Sequence, residues 1–122
     1  MIQPVVEGHA EVEAVPVLLR RLRDEAGAFE LGVGEPIRKP RSHLVRQATL
    51  CQAVGLARRQ PSCSSILILL DADEDCPGET APRIQEWADR VAGGIPCVVV
   101  MAHREYEAWF LAAIESLRGH RG

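Results

Sequence analysis

Short apolar runs alternate along the chain with segments of helical periodicity. Residues 2–6 form a β-rich run, residues 66–70 (ILILL) contain no polar position, and residues 96–101 (PCVVVM) form a third run. An uninterrupted apolar run of this length is typical of a parallel-sheet strand that is covered on both faces. We therefore predict buried strands at residues 66–70 and 96–101, a strand at residues 2–6 and a short strand within residues 36–41.

Helical patterns mark four further segments. The first follows Gly8 and carries an apolar stripe over residues 12–22. Pro16 interrupts this stripe, and because proline removes a backbone donor, the helix either begins near Ala14 or begins near Ala10 with a kink. The other helices are predicted over residues 44–59, 82–91 and 105–117. The core contacts expected in the second helix are Leu44, Ala48, Cys51 and Leu56.

The order of these elements predicts the fold class. Strands that alternate with helices favour an α/β layered fold with a mainly parallel sheet. The chain has 122 residues, of which 47% are apolar, and this size and composition suit one domain with one core. We therefore predict a single domain over residues 1–122.

The composition argues against a membrane-spanning or disulfide-rich protein. No apolar run in the sequence approaches the ~20 residues that cross a bilayer. The first residues, MIQPVVEG, have neither a basic leader nor a signal-peptide core, which predicts a cytoplasmic location. The four cysteines show no C-x-x-C spacing, so we expect small core residues and not zinc ligands or disulfides.

The net charge of −3 conceals an uneven distribution of charge along the chain. Residues 36–70 contain six basic residues and no acid, whereas residues 71–89 contain seven acids and one base, Arg83. A basic surface beside an acidic pocket suits a polyanion that is held against a metal ion. Two solvated faces of opposite sign explain the charge distribution equally well.

Acidic residues follow two of the predicted strands. Glu7 follows the first strand, and Asp71, Asp73 and Asp75 follow the run ILILL. Both positions are carboxyl ends of predicted parallel strands, so we expect these acids at one edge of the sheet. Open α/β sheets bind their ligands beyond that edge. Carboxylates without His or Cys favour Mg²⁺ or Mn²⁺ as the bound ion. The alternative is that such acids only cap helices.

Several motifs are similar to those of a known family. The segment VVEGHAEVEAVPVLLRRL resembles the first motif of Toprim domains, and ILILLDADEDCP resembles the second. With IRKPRS and HREYEAWFLAAIESL, the chain most closely resembles a family of small uncharacterised bacterial Toprim-like proteins, and more distantly the OLD-type nucleases. The resemblance covers most of the chain and implies a three-layer, Rossmann-like fold with a mainly parallel four-stranded sheet.

The resemblance also implies roles for individual residues. Toprim domains use their acids to bind Mg²⁺ during phosphodiester chemistry on nucleic acids. Transferred to this sequence, the catalytic and metal-binding residues are Glu7, Asp71 and Asp73, and the accessory metal ligands are Glu11, Asp75 and Glu107. The residues expected to contact DNA or RNA phosphates are Arg38, Lys39, Arg41, Arg46, His103 and Arg104. For the basic segment, a solvated loop is the alternative interpretation.

Two functional hypotheses from different classes follow. The first is a metal-dependent nuclease or related phosphodiester-processing enzyme, which the complete set of acids favours. The second is a Toprim-like module that binds nucleic acid or nucleotide without catalysis, as part of a larger assembly. The OLD-type pattern has a lysine beyond the last acidic helix, whereas Lys39 is the only lysine here. That departure and the short chain, either truncated or naturally short, favour the second hypothesis.

Overall fold

The computed structural model of this chain describes residues 1–71 and 77–102. These residues form four strands and four helices. In chain order they are β1 (Ile2–Val6), α1 (His9–Glu25), β2 (Ile37–Arg38), α2 (Arg41–Leu44), α3 (Gln47–Arg58), β3 (Ser65–Asp71), α4 (Pro77–Ala92) and β4 (Cys97–Ala102). The helix predicted over residues 105–117 lies outside the described residues.

All four strands are parallel and form one sheet in the order β2-β1-β3-β4. The predicted mainly parallel four-stranded sheet is therefore confirmed, and every described pairing is parallel. Val6, at the end of β1, pairs with Arg38 on one side and with Leu69 on the other. The carboxyl ends of all four strands consequently lie along one edge of the sheet.

The β3 strand explains why the core has two halves. Successive side chains of a strand point to opposite faces of the sheet. Leu67 and Leu69 pack with α1, whereas Ile66, Ile68 and Leu70 pack with α3 and α4. Each such side chain contributes about 1.5–3 kcal/mol on full burial, so the uninterrupted run ILILL stabilises both halves. The resulting helix–sheet–helix arrangement is a three-layer, Rossmann-like fold.

Two predicted helices differ from the structure in their bounds, and the open alternative for the first helix is decided. The first helix begins at His9 and contains Pro16, so the alternative with the early start is correct. The helix predicted over residues 44–59 is divided, because Arg46 has an extended backbone with φ −114° and ψ 136° between α2 and α3. The helix predicted over residues 82–91 is α4, which begins at Pro77 and not at Pro82. Proline is favoured at a first helical position, and the earlier of the two prolines has that position here.

The core contacts predicted for the second helix were only partly correct. Leu44 is buried, but Ala48 is exposed and Cys51 and Leu56 are half-buried. The α3 residues that are fully buried are Leu50, Ala53, Val54 and Ala57. The division at Arg46 rotates the buried face relative to the one expected for a single helix. Within the described part of the chain, no helix combines the length and apolar character needed to cross a membrane.

Candidate functional site

Glu7 and Asp71 lie at the carboxyl ends of neighbouring parallel strands. Since Val6 pairs with Leu69, Glu7 is level with Leu70, and the Asp71 backbone ends β3 one residue further along. The Glu7 side chain is 15% exposed, so most of its surface is removed from water. The prediction that these two acids reach one edge of the sheet is confirmed for their backbones, and the Asp71 side chain lies outside the description.

Arg41, the first residue of α2, contacts the Glu7 carboxylate. One guanidinium nitrogen, Nη1, lies 3.5 Å from Glu7 Oε1, and the Arg41 side chain is 27% exposed. The connection is fixed by the backbone, because Lys39 donates its N–H to the Val6 carbonyl at 2.9 Å. A partly exposed pair of this kind contributes at most about 1 kcal/mol to stability. Its main consequence is positional, since it places a cation beside the acid.

Glu11 is close to the same strand end. It lies in the first turn of α1, three residues after the N-cap residue Gly8. A Cβ atom at residue 8 would collide with the Glu11 carboxylate, so this carboxylate lies directly over the Gly8 backbone. An acid at this position interacts favourably with the helix start. The same position leaves it near Glu7, so helix capping and metal binding are compatible roles.

The basic residues predicted to bind nucleic acid are not all at one place. Arg38 is exposed on β2, where it pairs with Val6, and Lys39 follows it level with Glu7. Together with Arg41, these residues line the strand ends next to Glu7. Arg46 is also exposed, but it lies beyond α2 as the N-cap residue of α3. The structure therefore brings three of the four described basic residues to the Glu7 side of the sheet edge.

The predicted metal site lies only partly within the described residues. The predicted residues that lie outside the described residues are Asp73, Asp75, His103, Arg104 and Glu107. Among residues 1–71 and 77–102, no group of three or more His, Cys, Asp or Glu residues could hold a metal ion. The donors that are described, the carboxylates of Glu7 and Glu11, are hard oxygen ligands of the kind that suit Mg²⁺ or Mn²⁺.

A cavity of about 170 Å³ lies between α2 and α4 and was not predicted from the sequence. Arg41 and Arg83 line it together with an aromatic residue, Trp87. Arg83 is exposed, and Trp87 is half-buried and packs against the core on the α3–α4 side of the sheet. One signal was present in the sequence, because Arg83 is the single base among the seven acids of residues 71–89. The fold was needed to place it beside Arg41.

Two thiols lie near the opposite, amino end of the sheet. Burial raises the pKa of Cys97 to about 12, with smaller contributions from Asp89 and Cys63. Burial also raises the pKa of Cys63. Both groups are protonated at neutral pH and therefore are poor nucleophiles and poor metal ligands. The expectation that cysteines serve as small core residues is confirmed for Cys97, whereas Cys51 and Cys63 are half-buried.

The comparison with known proteins identifies a family. No curated protein and no solved structure matched this chain. A family model described as Domain of unknown function (DUF4276) matches residues 6–121. The matched region contains both acidic strand ends, the basic segment between them and the residues beyond β4. Because the match covers nearly the whole chain, this protein belongs to the DUF4276 family.

Proposed function

We propose that this protein binds Mg²⁺ or Mn²⁺ at the carboxyl edge of its sheet and uses the ion in phosphodiester chemistry on DNA or RNA. The observation that carries the proposal is the placement of Glu7 and the Asp71 backbone at adjacent parallel strand ends. Ligands of open α/β sheets bind beyond this edge. The resemblance of the two acidic motifs to those of Toprim domains supports the same assignment.

Each residue has a distinct proposed role. Glu7 and Asp71 are the central metal ligands, Asp73 completes the set, and Glu11 supports it. A divalent ion in such a site neutralises charge on the phosphate and activates water. Arg41 holds the Glu7 carboxylate in position, as their 3.5 Å contact indicates. The cations of the neighbouring basic segment, Arg38 among them, bind the polymer backbone.

The second candidate function is binding of nucleic acid without catalysis. The contact between Arg41 and Glu7 favours it, because a guanidinium on a proposed ligand competes with a metal ion for the same carboxylate. In this case Mg²⁺ serves to dock a phosphate and the module acts within a larger assembly.

Nicking of supercoiled DNA and cleavage of RNA, each with Mg²⁺ or Mn²⁺, distinguish the two candidates. The comparison needs the Asp71→Ala variant and a matched control, Glu13→Ala, which removes an exposed acid from α1. The nuclease proposal expects cleavage by wild type and Glu13→Ala, and at least 100-fold less by Asp71→Ala. Binding without cleavage by wild type favours the binding module. Cleavage that persists in Asp71→Ala rejects the proposed site.

A further inference from the structure

We propose that the cavity between α2 and α4 is a phosphate subsite, in which the guanidinium groups of Arg41 and Arg83 hold one phosphate of the bound nucleic acid. The inference rests on the proposed function for the identity of the polymer. The attraction of the cavity for a phosphate follows from its own lining residues. The subsite adds Arg83 and Trp87 to the residues that contact the ligand.

The size of the cavity limits what it can hold. Its volume is about 170 Å³. Sites for drug-sized ligands occupy roughly 300–1,000 Å³, so this cavity is too small for a complete nucleotide. A tetrahedral phosphate group fits such a volume, with the rest of the nucleotide outside. The cavity therefore suits one phosphate of a chain and not a free mononucleotide enclosed by protein.

The charges around the cavity favour an anion. Its lining consists of Arg41, Val45, Thr80, Arg83, Ile84 and Trp87. Two of these described lining residues carry a positive charge and none carries a negative one. The Glu7 carboxylate offsets part of the Arg41 charge, and Arg83 adds a second positive charge that attracts an anion to the cavity. Guanidinium groups also match phosphate oxygens in geometry, since each presents a planar fork of N–H donors.

The apolar lining strengthens the attraction for a phosphate. Ile84 is buried, and Val45 and Trp87 are half-buried against the core. Electrostatic attraction is stronger beside such a wall than in open water, because the effective dielectric constant is lower. Arg41 is itself only 27% exposed. Arg41 therefore differs from Arg38 on β2, which is exposed, whereas Arg83 is exposed and reaches the cavity from α4.

Arg41 connects the cavity to the proposed metal site. The same side chain lines the cavity and lies 3.5 Å from the Glu7 carboxylate. The Arg41 side chain would thus lie between Glu7 and a phosphate held by Arg41 and Arg83. This arrangement places the subsite next to the reacting phosphate along the polymer. Arg83 enters from a different helix, so its loss leaves the Glu7 contact in place.

Inorganic phosphate, titrated in EDTA, tests the subsite without any metal. The chain has two tryptophans, so a Trp109→Phe background leaves Trp87 as the reporter of the cavity. Arg83→Gln removes the charge from an exposed residue, and Arg90→Gln is the matched control near the other end of α4. We expect saturable quenching or enhancement of Trp87 fluorescence, at least fivefold weaker binding in Arg83→Gln, and no change in Arg90→Gln. Equal affinities in all three proteins, or a response that never saturates, overturn the subsite.

A single-stranded oligonucleotide separates failure of the subsite from failure of the proposed function. With Mg²⁺ present, we expect Arg83→Gln to reduce the salt dependence of binding by about 0.7 in the log–log slope, which corresponds to one phosphate contact. Oligonucleotide binding with an unchanged slope overturns the subsite while the proposed function stands. Arg83-dependent binding of inorganic phosphate without oligonucleotide binding supports the subsite and overturns the nucleic-acid function.

Discussion

The two ends of the parallel sheet differ in how their polar groups are used. At the amino end, polar groups bond to each other. Gln85 accepts a hydrogen bond from the Val99 N–H at 2.9 Å and donates to the Cys97 carbonyl at 2.6 Å. At the carboxyl end, charged side chains from separate elements meet, as Arg41 and Glu7 do. Gln85 therefore secures β4 at the amino end, whereas the carboxyl end is where we propose that ligands bind.

Cavity size and cavity charge point to different ends of the sheet. The cavity beside Gln85 and Asp89 at the amino end measures about 570 Å³, against about 170 Å³ for the one beside Arg41 and Arg83. The larger cavity is lined by a carboxamide that already bonds to the backbone of β4 and to Asp89. The smaller cavity is lined by two positively charged side chains, Arg41 and Arg83. Charge and hydrogen-bond use therefore distinguish the candidate site better than volume does.

The largest expected effect on stability comes from Gln85. The change to Ala leaves the Val99 N–H and the Cys97 carbonyl of β4 without this partner. We expect the free energy of unfolding to fall by about 1–3 kcal/mol. Urea denaturation followed by circular dichroism measures it, with Gln52→Ala on the exposed side of α3 as the matched control. A loss below about 0.5 kcal/mol, or a change in phosphate affinity, would contradict the separation of the two ends.

The next effect is alkaline destabilisation through Cys97. Its pKa of about 12 lies above the ordinary value of 9.0, so above pH 9 the unfolded chain loses a proton that the folded protein keeps. Stability is therefore retained below pH 9 and falls by about 1.4 kcal/mol per pH unit as pH rises towards the folded pKa. We expect urea denaturation at pH 8 and pH 10 to show this loss. A Cys97→Ala variant that loses as much stability as wild type would assign it to other groups.

The smallest effect on stability is expected for Gly8→Ala, which lies at the carboxyl end of the sheet. Its φ of −92° suits any residue, and Gly8→Ala would collide only with the end of the Glu11 side chain. We expect a change in unfolding free energy below about 0.5 kcal/mol. Displacement of Glu11 should weaken Mn²⁺ binding about threefold in calorimetry. Unchanged Mn²⁺ affinity would limit Glu11 to its role at the helix start.

The strands were predictable from the sequence for a simple physical reason. A strand covered on both faces needs apolar residues at every position, and the run ILILL satisfies this without ambiguity. The ends of the helices were less predictable, because tertiary packing tolerates Pro16 and Pro82 inside helices. The extended backbone at Arg46, which divides α2 from α3, has no comparable signal in the local sequence.

The candidate site was likewise predictable only in part from the sequence. The acids Glu7 and Asp71 could be placed at one edge because each directly follows a recognisable strand, and the edge of a parallel sheet then brings them together. The contact of Arg41 with Glu7, and the presence of Arg41 and Arg83 at one cavity, depend on how α2 and α4 are placed in the fold. Pairs of residues distant in sequence cannot be derived from the periodicity of either segment alone.

Calorimetric titration with Mn²⁺ tests the central claim most directly. The proteins are wild type, Glu7→Gln, Asp71→Asn and the control Glu13→Gln, which removes one exposed negative charge from α1. The metal-site proposal predicts saturable binding by wild type and by the control, and at least tenfold weaker binding by the other two. Absence of Mn²⁺ binding by wild type, or equal affinities in all four proteins, would contradict a metal site at the carboxyl edge of this sheet.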